Sequence, residues 1–226
     1  CFYDGDQFPP EMHGNVFVPD SAGHLVGTLK LDGGTQPHAT RFFPPEQELI
    51  ASTDERFRPV NARVGPDGAL YLADMYHGII EHVIFMVPWI IDQVRDRQLD
   101  TGRDMGRIYR VVSENRPIRR RTPDLAKVDA AALVAELDSP NGWNRLTAKR
   151  LLVERRDPAA LPRLRALLAG GTTASGRLHA LWTLDGLGAL TPDEKMAAFA
   201  DADERVRAAA IRVCERDLNA TQQIAL

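Results

Sequence analysis

Only two cysteines, Cys1 and Cys214, occur in 226 residues, and they stand at opposite ends of the chain. A pair so placed builds no disulfide framework and indicates no redox compartment. Long apolar runs are also missing. The longest, Val83 to Ile91, is interrupted by Pro88 and falls far short of a bilayer span. No stretch reads as a signal peptide. Strong charge of either sign is absent, and a net charge of -3 argues against nucleic acid as the main partner. The one strongly basic run, Arg116-Pro117-Ile118-Arg119-Arg120-Arg121, reads as a solvated linker.

What is present divides into two halves of different period. Residues 1 to 112 read as β. Gly14 to Val18 and His24 to Leu31 are strands joined by a turn over Asp20–Gly23, and Asp32-Gly33-Gly34 turns the chain again. Arg41-Phe42-Phe43 and Glu48 to Ala51 supply further extended pieces. In "FRPVNARVGPDGALYLADMYHGIIEH", residues 57–82, Val60, Ala62 and Val64 alternate with Asn61 and Arg63. Gly65-Pro66-Asp67-Gly68 is a tight turn, and Ala69 to Ala73 returns as a more buried strand. Gly106 to Val112 is one more alternating strand. Between them, Trp89, Ile90, Gln93, Val94, Arg97 and Gln98 fall at helical spacing, which predicts a helical insert at about 85–100. Short strands with Gly- and Asp-rich turns suggest propeller blades.

After a linker over 113–127, residues 128–226 take the helical period. Asp129 to Leu137 is a short amphipathic helix ended by Pro140-Asn141-Gly142. Arg145-Leu146-Thr147-Ala148, Arg177-Leu178-His179-Ala180 and Arg205-Val206-Arg207-Ala208 share the pattern Arg-apolar-x-Ala, spaced 32 and then 28 residues apart, as in helical-hairpin solenoids. Leu151, Leu184 and Ile211 continue the apolar faces. Asp157-Pro158 and Thr191-Pro192-Asp193-Glu194 are helix starts. The expected fold class is therefore β followed by α: a partial β-propeller and a HEAT-repeat solenoid. The segment from Cys1 runs into Asp4-Gly5-Asp6 as a strand enters a turn, and this beginning, with the ending at Asn219–Leu226, reads as an internal fragment of a larger protein.

The polar residues of 57–82 sit at the far ends of the hairpin, where a rim or central-channel site needs them. Asp74 and His77 could form a carboxylate–imidazole pair for proton abstraction from an alcohol. Arg58 and Asn61 flank Pro59 at the start of the first strand and could meet a ligand. Each has a structural alternative: an ion pair from Arg58 to Asp54 or Glu55, a backbone bond at Asn61, an Asx turn at Asp74, a capping role for His77. A metal site of His77, Glu81 and His82 fits no strong template, and Asp4 and Asp6 lack the remaining ligands of a calcium loop. Met75, Met86 and Met105 read as core filler, and His179, in a helix beside Trp182, as a packing residue.

Several stretches taken together carry a resemblance. "YDGDQFPPEMHGNVFVPDSAGHLVGTLKLD", "VGPDGALYLAD" and "GRIYRVV" resemble blades of bacterial sugar dehydrogenases of the glucose/sorbosone type, six-bladed propellers that hold pyrroloquinoline quinone. With "STDERFRPVNARVGPDGALYLADMYHGIIEH", the helical insert and the helical repeats, the whole chain is similar to the bacterial membrane-bound dehydrogenase domain proteins, which commonly carry a c-type haem module. The resemblance implies oxidation of a sugar or related alcohol, with quinone and calcium in the parent. Electrons would pass to a haem domain or membrane carrier, and the location would be periplasmic or membrane-associated. It places Arg58 and Asn61 at the cofactor and leaves catalysis to Asp74 and His77.

The family's Arg-x-Arg-Asp motif is kept at Arg58 but reads Val60 and Asn61 at its second arginine and its aspartate. No CxxCH occurs, so haem would be attached outside this chain. The fragment alone is expected to be inactive. The rival reading is a non-catalytic propeller and HEAT scaffold that holds a carbohydrate or a protein, with the helical array as a protein-contact surface.

Overall fold

Asp20 closes the first hairpin: its Oδ1 accepts the N–H groups of Ala22 and Gly23 at 3.0 and 2.9 Å, and His24 takes a positive φ of 56°. In the computed structural model, which describes residues 1–32, 38–102, 104–117, 122 and 124–224 (side chains of 32, 83 and 216–224 excepted), this turn joins β1 (Val16–Asp20) to β2 (Leu25–Asp32). Two short strands, β3 (His38–Arg41) and β4 (Ile50–Ala51), pair with opposite ends of β2, and all pairings are antiparallel. Phe42, Phe43, Glu48 and Leu49, expected as strand, lie outside these strands. Gly33 and Gly34 of the expected next turn lie outside the described residues.

A second antiparallel sheet follows, in the order β5 (Pro59–Val64), β6 (Leu70–Asp74), β7 (Arg107–Val111). Its β5–β6 turn is built by Asp67, whose Oδ1 accepts Ala69 N–H and whose Oδ2 holds Tyr71 and Arg110. Gly68 has φ +79°, and a side chain there would clash with Asp6. Strand β6 buries Leu70, Leu72 and Asp74. In β5 the expected alternation fails at one point. The register shifts between Pro59 and Asn61, and Val60 is turned outward and 51% exposed. A bulge of this kind adds one residue to a strand and reverses the side chains around it. The helical insert is α1 (Pro88–Asp96).

Tyr3, Phe8 and Phe17 form an aromatic trio with centroids 4.7–5.9 Å apart, in one core with Val26, Leu70 and Leu72. Tyr3 has no exposed surface. Its hydroxyl donates to Gly68 O at 2.7 Å and accepts the Gln7 and Phe8 N–H groups. Burial pushes the phenol pKa up to about 12. Tyr3→Phe removes one oxygen and strands three buried backbone groups, so it should cost about 2–3 kcal/mol. A urea-denaturation series against wild type reads this directly, and a loss within error of zero contradicts it.

The chain divides into two compact units, Cys1–Arg121 and Thr122–Leu226, with the division inside the expected linker. Arg116 and Pro117 belong to the first unit: Arg116 Nη1 donates to Asp6 O and Phe8 O, and Gln7 Nε2 to Pro117 O. The rest of the basic run, Ile118–Arg121, lies outside the described residues.

The second unit is helical: α2 (Ala130–Glu136), α3 (Gly142–Arg155), α4 (Leu161–Gly170), α5 (Ala174–Leu187), α6 (Pro192–Phe199) and α7 (Glu204–Ile224). Asp129, Asn141 and Thr173 cap α2, α3 and α5, and Thr191 with Glu194 forms a reciprocal capping box on α6. Helix α2 packs on α3, α4 on α5 and α6 on α7, while α3, α5 and α7 pack in succession. The core is Leu133, Leu137, Leu152, Leu164, Leu181, Leu184 and Val206, all nearly or fully buried. Among the described residues no helix is long and apolar enough to cross a membrane.

The repeat register differs from the expected one. Arg145, Arg177 and Arg207 each donate from Nη1 to a carbonyl six residues earlier, of Ser139, Gly171 and Asp201. The alanines three residues on, Ala148, Ala180 and Ala210, are each 0% exposed. The third repeat therefore starts at Arg207, two residues later than expected. Arg205 instead pairs with Asp203 at the surface, and Ile211 is 58% exposed while Val213 is buried.

Candidate functional site

The segment after β6 is held by Arg58. Its Nη1 donates to Ser21 O at 2.7 Å, Nη2 to Gly78 O at 2.7 Å and Nε to His77 O at 3.2 Å. One guanidinium thus ties the β1–β2 turn to the chain that leaves β6. Its main chain takes part as well: Arg58 N–H donates to Asp74 Oδ1 and Arg58 O accepts Met75 N–H. Burial lowers the guanidinium pKa, with Glu55 opposing, but an arginine stays charged at any ordinary pH. The bonds go to carbonyls and not to the carboxylates of Asp54 or Glu55.

Asp74 is 3% exposed, and its Oδ1 accepts the N–H groups of Arg58 and Tyr76 at 2.8 Å each, the second bond closing an Asx turn. Its Oδ2 is buried and has no hydrogen-bond partner among the described residues. His77 turns Nδ1 to Ile79 O at 2.5 Å, so that nitrogen carries the proton. Among the described residues no hydrogen bond joins Asp74 to His77. Asn61 is exposed on β5, just beyond the bulge. Of the four candidates, then, Arg58 is bonded to the main chain of His77 and to the side chain of Asp74, and Asn61 has no bond to any of them.

Tyr76 is a member of this cluster that the sequence pattern did not single out. It takes φ +45°, its hydroxyl donates to Asp54 Oδ2 at 2.8 Å, and Arg107 lies over its ring at 3.5 Å. A tyrosine two residues after an Asx-turn aspartate is the only local signal of it. The end of α1 closes the far side. A side chain at Gly78 would stand 2.6 Å from Leu99 O, and Arg56 Nη2 donates to Gln98 O at 2.8 Å. Arg97 pairs with Glu55. The residues just after α1 therefore lie against Gly78 and are tied to Glu55 and Arg56.

The resemblance implies an orthoquinone cofactor at these residues. Such a group carries carboxylates and needs paired cationic donors. Arg58 has already committed its charge to three carbonyls, and the unused Asp74 oxygen would repel a carboxylate. As arranged, the cluster does not suit a quinone. Among the described residues no group of three or more His, Cys, Asp or Glu could hold a metal ion, and His77, Glu81 and His82 make none.

In the second unit, His179 lies on α5 with its Nδ1 buried and without a hydrogen-bond partner among the described residues. Burial first, then the charges of Arg145 and Lys149, lower its pKa from 6.5 to about 4. The folded state thus holds it neutral while the unfolded state takes up a proton below pH 6.5. Its contribution to stability is complete above pH 6.5 and is lost as pH falls towards 4. Between pH 7 and pH 5 the unit should lose about 1 kcal/mol through this residue, after allowance for partial solvent access. His179→Leu should flatten that part of the stability profile; an unchanged slope would contradict the assignment.

A sequence profile described as Domain of unknown function (DUF7133) matches residues 1–115. No curated protein and no solved structure matches the chain.

Proposed function

The chain belongs to the DUF7133 family, and on that premise we propose that it is a non-catalytic scaffold. Its first unit supplies blades of a β-propeller, and its second is a HEAT-type array whose surface holds a protein partner. The observation that carries this reading is the Arg58 clasp. The residue best suited to meet an anionic cofactor is consumed by Ser21 O, His77 O and Gly78 O. Asp74 and His77 are likewise turned to backbone groups. A site that spends its polar side chains on its own main chain is built for rigidity. The helical pairs favour a contact role, because stacked helix pairs expose an extended surface that each repeat enlarges.

A second reading keeps one observation in its favour. The buried Oδ2 of Asp74, which has no hydrogen-bond partner among the described residues, is a carboxylate oxygen left over for a substrate hydroxyl, and this supports a propeller dehydrogenase of the sugar-oxidising kind. In that reading the exported parent passes electrons to a haem module or a membrane carrier, with quinone and calcium bound by residues outside this cluster.

Dye-coupled oxidation of a panel of sugars and alcohols by the full-length parent separates the two. The assay is run with and without pyrroloquinoline quinone and calcium. The scaffold reading expects no turnover and no visible cofactor band from a folded protein. Cofactor-dependent turnover that Asp74→Asn abolishes, with folding intact, would replace it by the second.

A further inference from the structure

The join between α2 and α3 carries an unused piece of chemistry. It reads Pro140-Asn141-Gly142, and Asn141 has no exposed surface. Its Oδ1 accepts Trp143 N–H at 3.0 Å, and its carbonyl accepts Asn144 and Arg145 N–H at 3.1 and 3.2 Å. Its ψ is 115°, an extended cap conformation. An asparagine before glycine is also where the following amide nitrogen attacks the side-chain carboxamide most easily, since glycine places no Cβ in the way. That attack needs ψ of the opposite sign, with the carboxamide carbon turned to Gly142 N. The cap prevents both.

We propose that Asn141 is a deamidation site gated by opening of the α2–α3 join, silent while the cap is formed and reactive once it opens. In the reaction Gly142 N bonds to Asn141 Cγ and gives up its proton. The Cγ–Nδ2 bond breaks and ammonia leaves with that proton, so a five-membered imide remains. Water then adds to one of the two imide carbonyls and opens the ring to aspartate or isoaspartate. No electrons are exchanged, and solvent water is the only co-reactant.

The two products act differently on the fold. Aspartate keeps a cap acceptor and adds a negative charge that suits a helix N-terminus. Isoaspartate puts an extra methylene into the main chain. It displaces the Asn141 carbonyl from Asn144 and Arg145, and with it the Arg145 bond to Ser139 O at 2.6 Å. A brief opening is thereby recorded as a permanent lesion in the first helix pair. Asn15, Asn61 and Asn144 precede Val16, Ala62 and Arg145, whose side chains hinder the same attack, and they serve as internal controls.

Peptide mapping by mass spectrometry over time, near neutral pH, tests the proposal on the full chain. Deamidation at Asn141 should run at least about tenfold slower in buffer than in concentrated urea, since the open fraction sets the rate. In urea it should outpace Asn15, Asn61 and Asn144, and Gly142→Ala should slow it there, where folding no longer matters. Leu133→Ala, which loosens α2, should raise the rate in buffer. Equal rates in buffer and urea would overturn the gate. A rate in urea no faster than that of Asn61 would overturn the site.

Discussion

Arg58→Ala should lower the stability of the first unit by about 3 kcal/mol, because three carbonyls lose a charged donor together and hydrogen bonds to charged groups are worth about 1.5–3 kcal/mol each without adding fully. The loss should appear as a fall in melting temperature of roughly 10 °C for a unit of this size. It should also appear locally, as faster amide exchange over 74–80, the segment that Arg58 ties to Ser21. Arg58→Lys should rescue little. An ammonium is a compact point charge on a flexible stem and cannot span three carbonyls arranged around a planar fork. If alanine leaves the melting temperature unchanged, the clasp carries no weight.

Arg177→Ala should cost the second unit about 2–3 kcal/mol. Arg177 grips both oxygens of Asp201 at 2.8 Å and Gly171 O at 2.8 Å, and the two side chains are only 16% and 10% exposed. It therefore joins α5 to the turn before α7, across which α5 and α7 pack. Removing it leaves a largely buried carboxylate without its cation. The bond to Arg177 holds the Asp201 pKa below the usual carboxylate range. The pair's contribution is thus complete above the ordinary aspartate pKa and fades as pH falls through the depressed one. A double-mutant cycle with Asp201→Ala should show coupling of about 2 kcal/mol, whereas additivity would mean that the pair is a surface contact. The Arg205 side chain, 67% exposed where it meets Asp203, provides the contrast, and Arg205→Ala should change little.

The parts of the fold that could be read from the sequence are those set by neighbours in sequence. The turn at Gly65–Gly68 and the helix starts at Asp157 and Thr191 all act within four residues. The bulge before Asn61 could not be read, because it depends on how β5 meets β6, and it sent Val60 outward against its hydrophobicity. The third repeat was misplaced for a related reason. Arg205 and Arg207 both stand near the helix start, and only the carbonyl of Asp201 decides which is the structural arginine. The Asx turn at Asp74 was legible as an alternative, since its partner Tyr76 is two residues away. The partners of Arg58 were not: Ser21 lies 37 residues earlier and Gly78 lies 20 later. A cationic side chain at the end of a hairpin looks the same in sequence whether it faces a ligand or its own backbone.

The central claim is that Arg58 is a clasp of the scaffold and holds no cofactor. The measurement that tests it most directly is the melting temperature of the wild-type chain and of Arg58→Ala, each with and without saturating pyrroloquinoline quinone and calcium. A bound ligand must raise the melting point by mass action. The account predicts no shift with the quinone in either protein and a large drop on substitution alone. A quinone-dependent rise in wild type that Arg58→Ala abolishes, with little change in the ligand-free melting point, would contradict it.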